Sequence, residues 1–231
     1  MRSIPSVACS VFALATFASA QNYLILPDNA ALTQPSSSTG AWRDSTTGFR
    51  SQFIYDTSHF TNLGVTGAIV INRMRFRAAN ASTTVGGNYP GNGTSTGIVL
   101  DIGTSATDYA TPSTTFATNR GTMQNVMTWA TVTCAAGAGA TPNNYVIDIT
   151  IPGGFVYDPT LGADLLIDIT GSDFIGTLPT MSTGVSLAAS RCNRVSNTPS
   201  TALTGTTSAG FCPGMTRGSS AGRSPTASAA R

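Results

Sequence analysis

Residues 145–170 read YVIDITIPGGFVYDPTLGADLLIDIT and form the most regular stretch of the chain. Two apolar runs rich in β-branched residues flank a Pro/Gly-rich segment, and the tetrapeptide Ile-Asp-Ile-Thr occurs in both runs. Because successive side chains of a strand point to opposite faces, this alternation predicts two half-buried strands. We expect the segment between them to be a loop in which Phe155 or Tyr157 folds back on the core. The side chains expected inside are those of Ile147, Ile149, Ile151, Leu165, Ile167 and Ile169.

The composition favours an all-β fold. Every basic residue is Arg and every acidic residue is Asp, so the strong helix formers Lys and Glu are absent. Their place is taken by Thr, Ser, Gly and Asn, which favour strands, turns and caps. Strands separated by turn-rich segments predict a single-domain antiparallel β-sandwich, jelly-roll-like in topology. Further strand-like runs lie at residues 23–26, 49–60, 68–78, 97–103 and 126–133.

The balance of residue types excludes some classes of protein. Charged residues make up 10% of the chain and hydrophobic residues 41%, which argues against disorder throughout. A formal net charge of +2 does not fit a polybasic nucleic-acid binder. The single histidine excludes a multi-histidine zinc site.

Residues 1–20 have the features of an export signal. Arg2 supplies the positive charge, residues 7–17 are apolar, and the run ends in Ala18-Ser19-Ala20. We expect cleavage near Ala20, no membrane anchor afterwards, and a protein that is secreted or held at the cell surface. The sandwich is then predicted over residues 21–189. Residues 190–231, rich in Ser, Thr, Gly and Ala, are predicted to be a mobile tail.

Four motifs occur in order along the chain. They are RSQFIY at 50–55, I-x-RMRFR at 71–77, STTFATNRG at 113–121, and FVYDP followed by GADLLIDI within 155–169. Together they resemble a group of secreted bacterial β-sandwich proteins that occur as many paralogous copies and have no assigned activity. The resemblance covers about residues 49–170, implies export and a sandwich, and carries over no catalytic residues.

The cysteines left after cleavage are odd in number. Cys192 and Cys212 would close a loop of about 20 residues, and a disulfide there is worth roughly 3 kcal/mol by chain entropy. Cys134 would then be a buried thiol or would replace one of the pair. No spacing fits a C-x-x-C metal or redox motif.

Asp residues are the candidates for a metal site. Asp168 lies in the second Ile-Asp-Ile-Thr run, Asp158 and Asp164 lie in or near the adjoining loop, and Ca²⁺ takes six to eight oxygen ligands. The D-x-D-x-D-G loop is absent, so the alternative is that strand Asp residues occupy the solvent side of half-buried strands. No other cofactor is expected.

Two features relate to hydrolase chemistry. The pattern G-x-S-x-G at 218–222 needs a buried strand before it and a helix after it, and here it lies in the predicted tail. His59, the only histidine, would have to serve any Ser-His-Asp or Cys-His site. The alternative for His59 is a structural role.

Aromatic and basic side chains are candidates for ligand binding. Trp42 and Tyr89 lie in predicted loops and could present an aromatic platform to a sugar ring, whereas Trp129 lies in a strand and is expected in the core. Arg73, Arg75 and Arg77 share one strand face. That face would either meet an anionic polymer or be a solvated face that resists aggregation.

These observations lead to three hypotheses for function. The first is an exported, non-catalytic structural or adhesive protein of the cell surface or extracellular matrix, with surface polysaccharide or matrix as partner. The second is a carbohydrate-binding module, and the third is a secreted hydrolase. No nucleic-acid partner is expected.

Overall fold

The structure is a computed structural model that describes residues 23–26, 28, 37–38, 42, 45–77, 86–136, 145–177, 181–182, 191–209 and 215–218. Within these ranges nearly all regular structure is β-strand, and α1 is a single helical turn, Ser58–Thr61. The strands are β1 (Tyr23–Leu26), β2 (Ser37–Ser38), β3 (Phe49–Tyr55), β4 (Ile69–Arg77), β5 (Gly86–Tyr89), β6 (Ile98–Ser105), β7 (Arg120–Ala130), β8 (Val132–Cys134), β9 (Tyr145–Tyr157), β10 (Leu165–Gly171), β11 (Ile175–Thr177), β12 (Met181–Ser182), β13 (Cys192–Asn197), β14 (Thr206–Ala209) and β15 (Met215–Gly218).

Two antiparallel sheets form an all-β sandwich, as predicted. The first has four strands in the order β1-β15-β4-β9, and the second has six in the order β14-β13-β3-β10-β6-β7. A three-stranded sheet, β11-β5-β8, and the pair β12-β2 are smaller additions. The finer expectation of a jelly-roll topology stays a prediction.

The two Ile-Asp-Ile-Thr runs lie in opposite sheets. The first is part of β9, which pairs with β4, and the second is part of β10, which lies between β3 and β6. Their inward Ile and Leu side chains belong to one core cluster, as the alternation predicted. The buried members are Ile147, Ile149, Ile151, Leu165, Ile167 and Ile169.

The predicted position of the loop between these runs is wrong, because the loop begins later in the chain than expected. β9 continues through the Pro/Gly segment to Tyr157, and the register with β4 slips between Ile71 and Arg73. Gly153 and Gly154 both have φ of 73°, which glycine adopts without steric cost, so the strand bends instead of ending. Phe155 and Tyr157 are buried, as expected.

The predicted boundary between sandwich and tail at residues 189 and 190 is also wrong. β13 pairs with β3 and β14 in the larger sheet, and β15 lies between β1 and β4 in the smaller one. These strands are short and poor in apolar residues, so no period of two marked them. The sandwich therefore includes described residues up to Gly218.

A second, smaller apolar layer covers the outer face of the six-stranded sheet. Ile54 and Leu166 face each other on neighbouring strands and are fully buried, although they point away from the main core. Phe116 begins a 3-10 turn, Phe116–Asn119, whose Phe116 carbonyl accepts a hydrogen bond of 3.0 Å from Gln52 Nε2. This turn therefore forms a lid on the outer face of the sheet.

Charge placed in the main core should prevent folding. Ile149 is 3% exposed, whereas Thr150, the next residue of β9, is exposed. We expect Ile149→Asp to give no folded protein, because a buried carboxylate without a partner costs several kcal/mol or more. Thr150→Asp is the matched control and should melt cooperatively near the wild-type temperature by circular dichroism. A soluble Ile149→Asp variant with a cooperative transition would show that the register is wrong.

Candidate binding surface

The outer face of the four-stranded sheet carries the predicted arginine strip. Arg73 and Arg75 alternate along β4 with the buried residues Met74 and Phe76, so the arginines point away from the core. A second register slip after Phe76 places Arg77 opposite Tyr145 of β9. We call Arg73, Arg75 and Arg77 the arginine strip.

Tyr145 and Asp148 of β9 hold the strip in place. The guanidinium carbon of Arg75 lies 4.4 Å from the centroid of the Tyr145 ring, within cation–π range, and that of Arg77 lies 5.2 Å away. Arg77 Nη2 also donates to the Tyr145 hydroxyl at 3.1 Å. Arg73 donates from Nε and Nη2 to the two carboxylate oxygens of Asp148, and this pairing raises the pKa of Arg73.

An open cleft of about 430 Å³ adjoins the strip. Tyr145 and Asp148 line it, so the aromatic ring and the carboxylate that contact the arginines also form its wall. Three threonine hydroxyls give the wall further polar groups, and aliphatic side chains complete it. The remaining lining residues are Met127, Thr131, Val132, Thr133, Ala135, Val146, Ile149 and Thr150.

The aromatic platform predicted at Trp42 and Tyr89 is wrong. Trp42 is 1% exposed and Tyr89 0%, so neither ring can meet a ligand. Their ring centroids lie 5.7 Å apart, and Trp42 packs edge-on against Phe76 at 5.2 Å. Both rings help to fill the core beneath loops that looked solvent-exposed because of their Ser, Gly and Asn content.

The three Asp residues proposed as metal ligands have separate structural tasks. Asp158 caps the 3-10 turn Pro159–Leu161 by accepting from the backbone N–H of Thr160 at 2.9 Å. Asp164 accepts from the N–H groups of Thr57 and Tyr109. In the described ranges, no group of three His, Cys, Asp or Glu side chains is arranged to hold a metal ion.

Asp168, the third, is buried under a polar network and not on the solvent side of its strand. It is 3% exposed and accepts from Arg50 Nη2 at 2.9 Å, Arg120 Nη1 at 2.5 Å and Gln52 Nε2 at 2.9 Å. Arg120 also pairs with Asp101 at 2.7 Å. Two cations and an amide thus compensate one buried carboxylate.

The repeated tetrapeptide supplies a matched pair of variants. Asp168→Asn removes the negative charge that Arg50 and Arg120 face. We expect the free energy of unfolding to fall by about 3 kcal/mol, which is the lower end of the range for breaking a buried ion pair. Asp148→Asn breaks an ion pair whose side chains are 43% and 49% exposed, and should cost less than about 1 kcal/mol. Urea unfolding of both variants measures the difference, and equal losses would contradict the assigned burial.

His59 connects three segments of the chain. It is fully buried at the start of α1, with Nδ1 3.0 Å from Asp28 Oδ1 and Nε2 3.0 Å from the carbonyl oxygen of Arg191. Arg191 pairs with Asp28 at 2.5 Å. Burial alone would raise the pKa of Asp28, but hydrogen bonds from Arg191, Asn62 and His59 lower it to about 2. The hydrolase hypothesis needs a hydroxyl or thiol within hydrogen-bond reach of this ring, and it stays a prediction.

The cysteines are buried where the structure describes them. Cys134 and Cys192 are free thiols, and burial raises the pKa of Cys134 to about 12, so it is a poor nucleophile. The free thiol of Cys192 does not bear out the predicted disulfide with Cys212, which itself lies outside the described residues. The G-x-S-x-G pattern also lies outside them beyond Gly218.

Asp164 makes the stability depend on pH. Burial raises the pKa of its carboxyl from 3.8 to about 6, with Asp56 and Asp108 adding to the shift against the hydrogen bonds from Tyr109 and Thr57. The folded state therefore takes up a proton at higher pH than the unfolded state. Stability from this group is greatest at low pH and falls as pH rises through 6.

We expect the free energy of unfolding to rise by about 1 kcal/mol between pH 7 and pH 5 through this group alone. Asp164→Asn should lose that increment, because its amide does not titrate. Urea unfolding of both proteins at the two pH values isolates the contribution of Asp164 from that of the other groups. The same pH dependence in both proteins would contradict the raised pKa.

No family model, curated protein or solved structure matches this chain. The resemblance to paralogous secreted sandwich proteins therefore stays a prediction. Among the described helices, none has the length and apolar character needed to cross a membrane.

Proposed function

We propose that the protein is an exported, non-catalytic adhesive β-sandwich that binds an acidic polymer of the cell surface or extracellular matrix. The observation that carries this proposal is the arginine strip, held by Tyr145 and Asp148 at an open cleft. Export is inferred from residues 1–20, which have the charge, apolar run and cleavage pattern of a signal.

The charges of the surface favour an anionic ligand. Arg73 and Arg75 present cations on this strand face, while Arg77 is buried. Arginine also presents planar forks that match carboxylate geometry.

The rigidity of the strip supports a binding role. Tyr145 fixes the half-buried Arg75 through its ring and binds the buried Arg77 through its hydroxyl, so the Arg75 side chain is ordered before a ligand arrives. Ordering long side chains in advance lowers the entropy cost of association.

A carbohydrate-binding module is the second candidate. The observation that favours it is the wall of the cleft, where Thr131, Thr133 and Thr150 supply hydroxyls beside the Tyr145 ring. A neutral glycan bound there would show little salt dependence, whereas an acidic polymer bound by the strip would be released by salt.

Binding to polygalacturonate, a polymer of carboxylate-bearing sugar rings, tests the first candidate. We expect affinity to fall steeply between ~50 and ~300 mM NaCl, as screening of exposed charges requires. Arg75→Gln should weaken binding about tenfold, since it removes a charged hydrogen-bonding group. Asp148→Asn should strengthen binding, because it removes the carboxylate that competes for Arg73.

Thr118→Asp is the matched control. It changes the net charge by the same amount as Arg75→Gln, but at an exposed position of the turn that covers the other sheet. Equal weakening by the two variants would show that net charge acts and the strip does not. Binding that persists unchanged in Arg75→Gln, or that is insensitive to salt, would contradict the proposal.

A further inference from the structure

Trp129, near the end of β7, has a backbone conformation that bulky residues rarely adopt. Its φ is 45°, in the left-handed region that a side chain of this size normally avoids. It is half-buried and does not belong to the main core, contrary to the prediction from its position in a strand. In the described part of the chain, its indole makes no ring contact and no hydrogen bond. The structure therefore holds this residue in an unfavourable conformation without using its ring for packing between aromatics.

A β-bulge produces this conformation. Between the pairs Ile98–Ala130 and Leu100–Met127, β6 advances by two residues while β7 advances by three. The extra residue lies in the segment that contains Trp129. A bulge turns a side chain away from the direction that simple alternation would give it.

Two hydrogen bonds from the loop 91–97 hold the bulge in place. Gly93 N donates to the carbonyl of Trp129 at 3.0 Å, and Gly91 N donates to Thr131 Oγ1 at 2.9 Å. The loop approaches so closely that a Cβ on Gly91 would lie 2.3 Å from the carbonyl carbon of Ala130. Strained residues held by surrounding structure are concentrated at ligand-binding and catalytic sites.

Asn92 stiffens the loop itself. Its Oδ1 accepts from the backbone N–H groups of Thr94, Ser95 and Thr96 at 2.8–3.0 Å. The loop that binds the carbonyl of Trp129 thus has its own internal hydrogen bonds, so the backbone at Trp129 is held in place before any ligand arrives.

Trp129 also lies in the chain segment that forms the wall of the cleft. Met127, two residues before it, and Thr131, two residues after it, both line the cleft beside Tyr145 and Asp148. Trp129 is not itself a lining residue, but its backbone lies between two residues that line the cleft to which Tyr145 and Asp148 belong.

We propose that Trp129 stacks against the pyranose rings of an acidic polysaccharide whose carboxylates bind the arginine strip. This inference rests on the proposed function and narrows its ligand from any acidic polymer to one built of sugar rings. An indole offers a large flat apolar face to the C–H groups of a sugar, while the arginines take the charged groups.

Trp129→Gly separates this role from a structural one. Glycine adopts a φ of 45° without steric cost, so we expect the melting temperature to stay the same or rise. Affinity for polygalacturonate should fall about five- to tenfold, and affinity for poly-L-glutamate, which has carboxylates but no rings, should not change. Trp129→Phe keeps an aromatic ring, so its affinity for polygalacturonate should fall only about two- to threefold, and its affinity for poly-L-glutamate should not change.

The possible outcomes separate the two proposals. A selective loss of polygalacturonate binding in Trp129→Gly, or in Trp129→Phe if the glycine variant does not fold, supports the role of the indole. Equal losses for both polymers, no loss, or a lowered melting temperature with unchanged binding overturns it. Wild-type protein that binds neither polymer contradicts the proposed function itself, whereas Arg75-dependent binding that ignores Trp129 leaves that function intact.

Discussion

The burial of two facing rows of Ile and Leu is the constraint on which the rest of this sandwich depends. β9 and β10 carry the same tetrapeptide in different sheets, and both turn their isoleucines inward. Because side chains alternate, each strand must then turn its Asp outward. The chemistry of both outer surfaces follows from that alternation, since Asp148 orients Arg73 on one sheet and Asp168 gathers Arg50 and Arg120 on the other.

The outer surfaces of the two main sheets differ because, in the described part of the chain, a turn covers the six-stranded sheet and none covers the four-stranded sheet. The turn Phe116–Asn119 lies across that sheet, so Asp168 is buried and its charge is used within the fold. The arginines of β4 lie beside an open cleft, and Arg73 and Asp148 stay in water. Identical local sequence therefore yields a buried ion network in one sheet and an exposed ion pair in the other.

Alternation made the main strands and their buried isoleucines predictable, as well as the common face of the three arginines. It misplaced both tryptophans, because burial depends on contacts that a local pattern does not contain. Trp42 lies in a polar segment, yet Phe76 and Tyr89 enclose it, whereas Trp129 lies in an apparent strand that a bulge rotates. β13 to β15 were missed for a related reason. β13 is buried on both faces and so mixes polar and apolar residues, and β15 has only four residues.

The place of β15 between β1 and β4 has a consequence for the order of folding. β1 is paired in the structure with β15, and β15 is the last strand described along the chain. β1 can therefore join the sheet only after β15 has paired with β4. That step requires the closure of a loop that spans almost the whole sequence. Topologies with such distant contacts fold slowly, so the four-stranded sheet should close late, after the six-stranded sheet has formed around β10.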